Sequence, residues 1–169
     1  MRRELNVPRS RRKTVCLVAS QGGHLQQMLR LQPVYSRRPH FLVTTGDIRR
    51  TAVRHGVSRQ WHIADINEGR GARNPLLLII AFIQTARIFL RERPAAVLST
   101  GSGIAVPAIM ISWLFRIPFI YVESFARIKD LSKTGKVAYR FASAVFVQHE
   151  PLVAQYPGVR YAGSIYEGM

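Results

Sequence analysis

A chain of 169 residues with 47% hydrophobic content can bury one good core but is too short for two. Its 25 Lys and Arg, most of them Arg, stand against nine Asp and Glu, and the resulting +16 favours polyanions: nucleic acid, an anionic membrane surface or phosphate-bearing substrates. A single cysteine, Cys16, excludes an internal disulfide and suits a reducing compartment.

Residues 1–13 carry Arg2, Arg3, Arg9, Arg11, Arg12 and Lys13 and are expected to form a basic, disordered arm. The charge is that of a signal-peptide start, but the apolar run Val15–Ala19 is too short for one and no cleavage pattern follows. Residues 14–169 are expected to form a single Rossmann-like domain. Strand-length apolar runs recur at Thr14–Ala19, His40–Thr44, Gln60–Ile63, Ala96–Ser99, Phe119–Val122 and Ala144–Gln148. Most are continuous and β-branched, as in parallel strands covered on both faces. Cys16, inside the first, is expected to be a small buried hydrophobe. Helix-length segments lie between the strands: Leu25–Leu31 closed by Pro33, Ile48–His55 closed by Gly56, Pro75–Glu92 closed by Pro94, then Ile104–Phe115 and Leu131–Phe141. Alternating strand and helix implies right-handed βαβ units and a doubly wound parallel sheet.

No stretch reaches the roughly 20 apolar residues of a spanning helix. Leu76–Ile83 is wholly apolar but short, and Ile104–Phe115 contains Pro107, so an integral membrane protein is not expected. The helix Pro75–Glu92 is nevertheless more apolar than one buried stripe requires, and Arg70, Arg73, Arg87, Arg91 and Arg93 flank it. That pattern suits a segment dipping into a membrane interface, with Leu77 and Ile80 in the apolar layer and Arg87 and Arg91 among anionic headgroups. A helix buried between the sheet and a partner would show the same pattern.

Ligands of such sheets sit beyond the carboxyl ends of the strands. The first strand is followed by Ser20-Gln21-Gly22-Gly23-His24. Paired glycines let a backbone approach a ligand closely, and a helix start offers free N–H groups to an anion. The positive end of a helix disfavours an imidazolium, which suits His24 to accepting a proton from a sugar hydroxyl. His24 could instead only cap or pack against its helix. The fourth strand leads into Thr100-Gly101-Ser102-Gly103, which is either a ligand-contacting turn or a tight turn in which Ser102 caps the next helix. After the fifth strand come Glu123, Ser124 and Arg127; Glu123 would either bind acceptor hydroxyls or pair with Arg127.

The chain lacks the dinucleotide G-x-G-x-x-G pattern with its downstream acid, a phosphate loop, and Cys/His metal spacing. No Asp-x-Asp pair is present to hold a metal-bound nucleotide sugar, which favours metal-independent chemistry without a cofactor. The basic residues are not interleaved with aromatics, so charge alone speaks for nucleic acid and none is expected as partner.

Taken together, the residues resemble a known family: the acceptor-side, membrane-anchoring subunit of the split UDP-N-acetylglucosamine transferase of lipid-linked oligosaccharide synthesis. The resemblance is nearest to bacterial counterparts in exopolysaccharide and capsule synthesis. It rests on Phe119-Ile120-Tyr121-Val122-Glu123-Ser124-Phe125-Ala126-Arg127, Leu131-Ser132-Lys133-Thr134-Gly135-Lys136, Phe146-Val147-Gln148 and Tyr156-Pro157. Ser20-Gln21-Gly22-Gly23-His24-Leu25 and Leu98-Ser99-Thr100-Gly101-Ser102-Gly103 add to it, so that it runs from about Thr14 to the end. Gln21 departs from the family pattern, in which a small residue is commoner, and no counterpart of the N-terminal membrane anchor of eukaryotic members is expected here.

The resemblance implies a GT-B enzyme divided between two chains. This chain would be the N-terminal half, holding a lipid-pyrophosphate-linked saccharide acceptor; a separate C-terminal-half subunit would hold the UDP-sugar donor. Inverting transfer of N-acetylglucosamine or another hexose or uronic acid would use His24 as base or acceptor orienter. Gly22, Gly23, Gly101, Ser102 and Gly103 would shape the crevice, with Glu123, Ser124 and Arg127 toward the acceptor. Attachment would be peripheral, at the cytoplasmic face of the cell membrane. The alternative is a non-catalytic membrane scaffold that recruits the donor-binding chain.

Overall fold

The computed structural model describes residues 14–46, 53, 55–65 and 75–166. The expected basic arm, Arg70, Arg73 and most of the helix expected over Ile48–His55 lie outside them. Seven strands form one parallel sheet: β1 (Val15–Ala19), β2 (His40–Thr44), β3 (Gln60–His62), β4 (Ala96–Gly101), β5 (Phe119–Val122), β6 (Ala144–Val147) and β7 (Arg160–Tyr161). Their order is β3-β2-β1-β4-β5-β6-β7, so the winding reverses between β1 and β4. Loops after these two strands diverge to opposite sides and open a crevice at the carboxyl edge. The expected doubly wound architecture is the one observed.

The helices are α1 (Gly23–Arg30), α2 (Gln32–Tyr35), α3 (Pro75–Glu92), α4 (Ala105–Leu114), α5 (Lys133–Phe141) and α6 (Pro151–Gln155). Two of them, α2 and α6, and the short exposed strand β7 carry too few residues for a periodic signal. Pro33 does not close α1. It sits in the first turn of α2, where a missing N–H costs nothing. Pro107 is tolerated in α4 for the same reason, since it falls in the opening turn.

Successive strand residues face opposite sides, and both sides are buried, which explains the unbroken apolar runs. Cys16, Val18, Phe41, Val43, Val97, Phe119 and Tyr121 pack toward α3, α4 and α5. Burial, and then the Glu92 charge, pushes the Cys16 thiol well above its ordinary value, so it serves as a packing group. Leu17, Ala19, Leu42, Leu98 and Val122 face the other way, with Leu25, Met28, Leu29 and Tyr35 of α1 and α2. This second layer is thinner. Over β4, β5 and β6 an apolar groove of about 520 Å³ remains, floored by Leu98, Ile120, Val122 and Phe146 and bordered by Ala162–Ile165.

The ladder between β1 and β4 is regular from Val15↔Ala96 to Val18↔Ser99, but then Ala19 pairs with Gly101. Thr100 is therefore an extra, unpaired residue in β4. The Ser99 hydroxyl bridges the irregularity, donating to the Val18 carbonyl at 2.8 Å and accepting from the Gly101 amide at 3.1 Å. Bulges next to crevices re-aim the groups they displace.

Candidate active site

The displaced residue meets His24. Nδ1 of the His24 ring donates to the Thr100 carbonyl at 2.8 Å, and Thr100 Oγ1 donates to the His24 carbonyl at 2.7 Å. Gly22 supplies the N-cap of α1 with φ +95°, a conformation glycine adopts without steric cost. Gly101, at φ +109°, lies against the ring: a Cβ there would sit 3.1 Å from Nδ1 and Cε1 of His24 and 2.9 Å from the Tyr121 hydroxyl. Gly23 opens α1 with no neighbour within 4 Å of where a Cβ would stand.

His24 lines a cleft of about 850 Å³ with Ser20, Ser102, Gly103, Ser124 and Arg127, so five of the expected residues share one wall system. Lys133, Thr134 and Lys136 of α5 complete it. Lys136 is bound to Asp130 at 2.6 Å. That contact, and then the Tyr156 hydroxyl, holds the Asp130 carboxyl below its ordinary range. No ion-pair partner of Arg127 or Lys133 is found among the described residues, and both cations face the cleft beside the positive end of α5.

Two expectations for Ser102 and Glu123 are corrected here. Ser102 does not cap α4: that helix has no side-chain cap, and the Ser102 hydroxyl is buried without a hydrogen-bond partner. Its φ of +74° turns the side chain away from the helix start. Glu123 neither faces the cleft nor pairs with Arg127. It is fully buried, its Oε1 accepting from the Ser124 amide at 2.7 Å. Oε2 accepts from the Ser132 amide at 2.8 Å and the Ser132 hydroxyl at 3.0 Å. The carboxylate thus clasps both ends of the exposed loop carrying Arg127. Backbone amides converge there because strand and helix ends leave them free, and charge-assisted bonds of this kind contribute about 1.5–3 kcal/mol each. Gly135, in the first turn of α5, is required by the same carboxylate, whose Oε2 occupies the place of a Cβ.

Ser132 caps α5, accepting from the Gly135 amide at 2.8 Å, and lies 3.3 Å from the Tyr121 hydroxyl. Ser132 already donates to Glu123, so Tyr121 is the donor. Burial, followed by the Glu123 charge, raises the Tyr121 phenol well above its ordinary value and keeps that proton in place. Beside this clasp, buried Gln27 accepts from the Phe125 amide at 3.1 Å and from Gln148 Nε2 at 2.9 Å. Gln148 also donates to the Glu123 carbonyl at 2.9 Å. Gln27 stands out in the sequence after the fact, as a polar residue among the inward positions Leu25, Met28 and Leu29. Ser132, Lys133 and Gln148 were visible only as parts of family runs, without a role.

Gln21 and Gly22 turn toward a neighbouring cavity of about 650 Å³, shared with Thr45, Gly46 and Asp65. The Gln21 side chain lies where a Cβ of Gly46 would be, which accommodates the larger residue at this turn. On α3 the expected faces are exchanged. Leu77 and Ile80 are half-buried, whereas Leu76, Ile79, Ile83 and Leu90 are 60, 56, 46 and 62% exposed. The inward face of α3 is set by Ala81, Thr85, Ile88 and Phe89, which turns the 76/79/83/90 stripe outward. Arg87 and Arg91 are exposed beside it, Arg91 lying 5.1 Å over the Trp61 ring. Among the described residues no helix is long and apolar enough to cross a membrane.

Solved structures share this architecture over part of their length. MurG of Acinetobacter baumannii superposes with a TM-score of 0.66 at 19% identity, over 90% of this chain and 44% of that one. The S. aureus MnaA–UDP co-structure gives 0.71 at 13% identity, over 90% and 45%. At such identities the likeness is one of fold, and it is that of a Rossmann-like N-terminal half of a GT-B glycosyltransferase. Sequence relatives carry the name UDP-N-acetylglucosamine transferase subunit ALG14. The Candida albicans protein is 35% identical over 91 residues, half of this chain and 42% of its own length. The mouse protein is 27% identical over 88% of this chain and 81% of its own, and the human protein 23% over 96% and 88%. The family model described as oligosaccharide biosynthesis protein Alg14 like matches residues 15–165, from the first strand through the segment that Gln148 ties to the site, and on that span the chain belongs to the Alg14 family.

Proposed function

We propose that this chain is the acceptor-side subunit of a two-chain inverting glycosyltransferase. The observation that carries the proposal is His24, held by Thr100 in the lining of a cleft that Arg127 and Lys133 also line. A base within reach of a bound hydroxyl is what sugar transfer requires, and cations in the same cleft suit an acceptor bearing pyrophosphate. The donor is a UDP-sugar, carrying N-acetylglucosamine or another hexose or uronic acid, and the acceptor a lipid-pyrophosphate-linked saccharide. The setting proposed is bacterial exopolysaccharide or capsule synthesis at the cytoplasmic face of the membrane. No metal enters the scheme, because the sequence offers no Asp-x-Asp pair for one. Ser124 and Gly103 line the acceptor side, while Glu123 acts from beneath by holding the loop.

The partner is a donor-binding chain with the C-terminal GT-B half. Support comes from the span of this chain, which matches under half of each solved structure above, and from the apolar groove over β4–β6. A segment of that partner is assigned to the groove, supplying the helical layer that a doubly wound sheet needs on both faces. Membrane contact is assigned to the outward stripe Leu76, Ile79, Ile83 and Leu90, with Arg87 and Arg91 toward anionic headgroups.

Reconstitution tests the proposal. The purified chain, its genomic-neighbour GT-B half, UDP-sugars and a lipid-linked acceptor are combined, and transfer is expected from the mixture and not from either chain alone. Transfer by this polypeptide alone would sink the divided-enzyme scheme. A His24→Ala complex that assembles and retains full activity would instead favour the scaffold role.

A further inference from the structure

We infer that Thr100 is a positioning residue that makes Nε2 of His24 the proton-accepting atom of this site, an inference that rests on the sugar-transfer role proposed above. A carbonyl oxygen only accepts, so the 2.8 Å contact to the Thr100 carbonyl places a proton on Nδ1. In a neutral ring the free lone pair is then on Nε2. Nδ1 and Cε1 lie against Gly101, at the distance a Cβ there would disturb, and His24 lines the cleft, which leaves Nε2 as the ring nitrogen not engaged by Thr100.

The β4 bulge is what makes the Thr100 carbonyl available. In an unbroken ladder it would be committed to strand pairing; here Ala19 skips it and pairs with Gly101. Thr100 is fully buried, and its hydroxyl grips the carbonyl of the same histidine at 2.7 Å, so ring and backbone of His24 are tied to one residue. Such double attachment leaves the imidazole little freedom to turn Nδ1 toward the cleft.

In the transfer step the acceptor hydroxyl oxygen bonds to the anomeric carbon, and its proton passes to Nε2. The bond from the anomeric carbon to the UDP oxygen breaks, its electron pair leaving with UDP. The imidazolium so formed donates a charge-assisted bond to the Thr100 carbonyl, which stabilises it while it lasts. The partly exposed ring then returns the Nε2 proton to water.

Two measurements test this. Two-bond ¹H–¹⁵N spectra of the full chain, with His24 assigned by its loss in His24→Ala, should show Nδ1 protonated and Nε2 bare in the neutral ring. In the reconstituted two-chain enzyme, Thr100→Val should lower kcat about two- to tenfold, the worth of one hydrogen bond, with KM unchanged. Thr100→Ser should restore it, and the Thr100→Val ring should keep its Nδ1 proton, because valine leaves the main-chain carbonyl in place. An Nε2–H ring in the wild-type chain overturns the inference without touching the sugar-transfer role. Thr100→Val with unchanged kcat overturns Thr100 as the positioning residue. Full activity of His24→Ala removes the base itself, and with it both readings.

Discussion

His24 and Thr100 hold each other across the junction of β1 and β4, ring to carbonyl at 2.8 Å and hydroxyl to carbonyl at 2.7 Å. The contact spans 76 positions of sequence and joins the two loops that flank the reversal of the sheet. It converts a glycine-rich turn into a wall with a histidine of fixed orientation.

Replacing that histidine should therefore be felt in turnover and not in folding. His24→Ala in the two-chain enzyme is expected to lower kcat about 10²–10⁴-fold, the range for a positioned proton-transfer group. Circular dichroism and partner binding should be unchanged. A rate within twofold of wild type would leave His24 as a packing residue.

Glu123 is expected to act in the opposite sense. Glu123→Ala strips the acceptor from the Ser124 and Ser132 amides and the Ser132 hydroxyl, all gathered at a fully buried carboxylate. Stranding buried donors costs about 1–3 kcal/mol each, so with three of them a loss of at least about 3 kcal/mol in urea unfolding is expected. Gly135→Ala should be destabilised as well, since the new methyl must displace the carboxylate. Two wild-type-like unfolding curves would refute the clasp.

Membrane attachment is expected to be partly electrostatic and partly apolar. Each Arg near an anionic leaflet contributes about 1 kcal/mol, screened beyond about 8–10 Å, so salt washing should release part of the protein from anionic vesicles. Ile79→Glu with Ile83→Glu should release more while the fold survives, because both side chains are exposed. Leu77→Glu with Ile80→Glu should instead lower thermal stability, since those residues are half-buried. Vesicle binding that survives both high salt and the Ile79/Ile83 pair would exclude this surface.

The apolar groove makes a separate demand. Ile120→Asp or Phe146→Asp places a charge in the floor of the groove, at half-buried positions outside the fully buried core. Co-purification with the donor-side chain should be lost, while the isolated subunit keeps its circular dichroism. Undiminished complex formation would move the interface elsewhere.

Much of this protein could be read before any coordinates. Continuous β-branched runs announced a parallel sheet buried on both faces, because only residues apolar on both sides survive there. Glycine pairs and polar residues just after strands marked the crevice, since loops at the carboxyl edge are where such sheets leave room. The doubly wound sheet and the neighbourhood of His24, Ser102 and Arg127 follow from patterns of this local kind, whereas the family and the N-terminal-half assignment came from the resemblance carried by longer runs such as Phe119–Arg127.

Tertiary structure decided the roles. Whether Glu123 met solvent or the core depended on amides from Ser124 and Ser132 converging on it, eight positions apart from one another along the chain. Which residues of α3 faced outward depended on which turned toward α4 and the sheet, and a helix apolar all round carries no periodicity to reveal it. The orientation of His24 depended on one bulged residue in a strand that reads as regular, because a register shift arises between two strands and is written in neither.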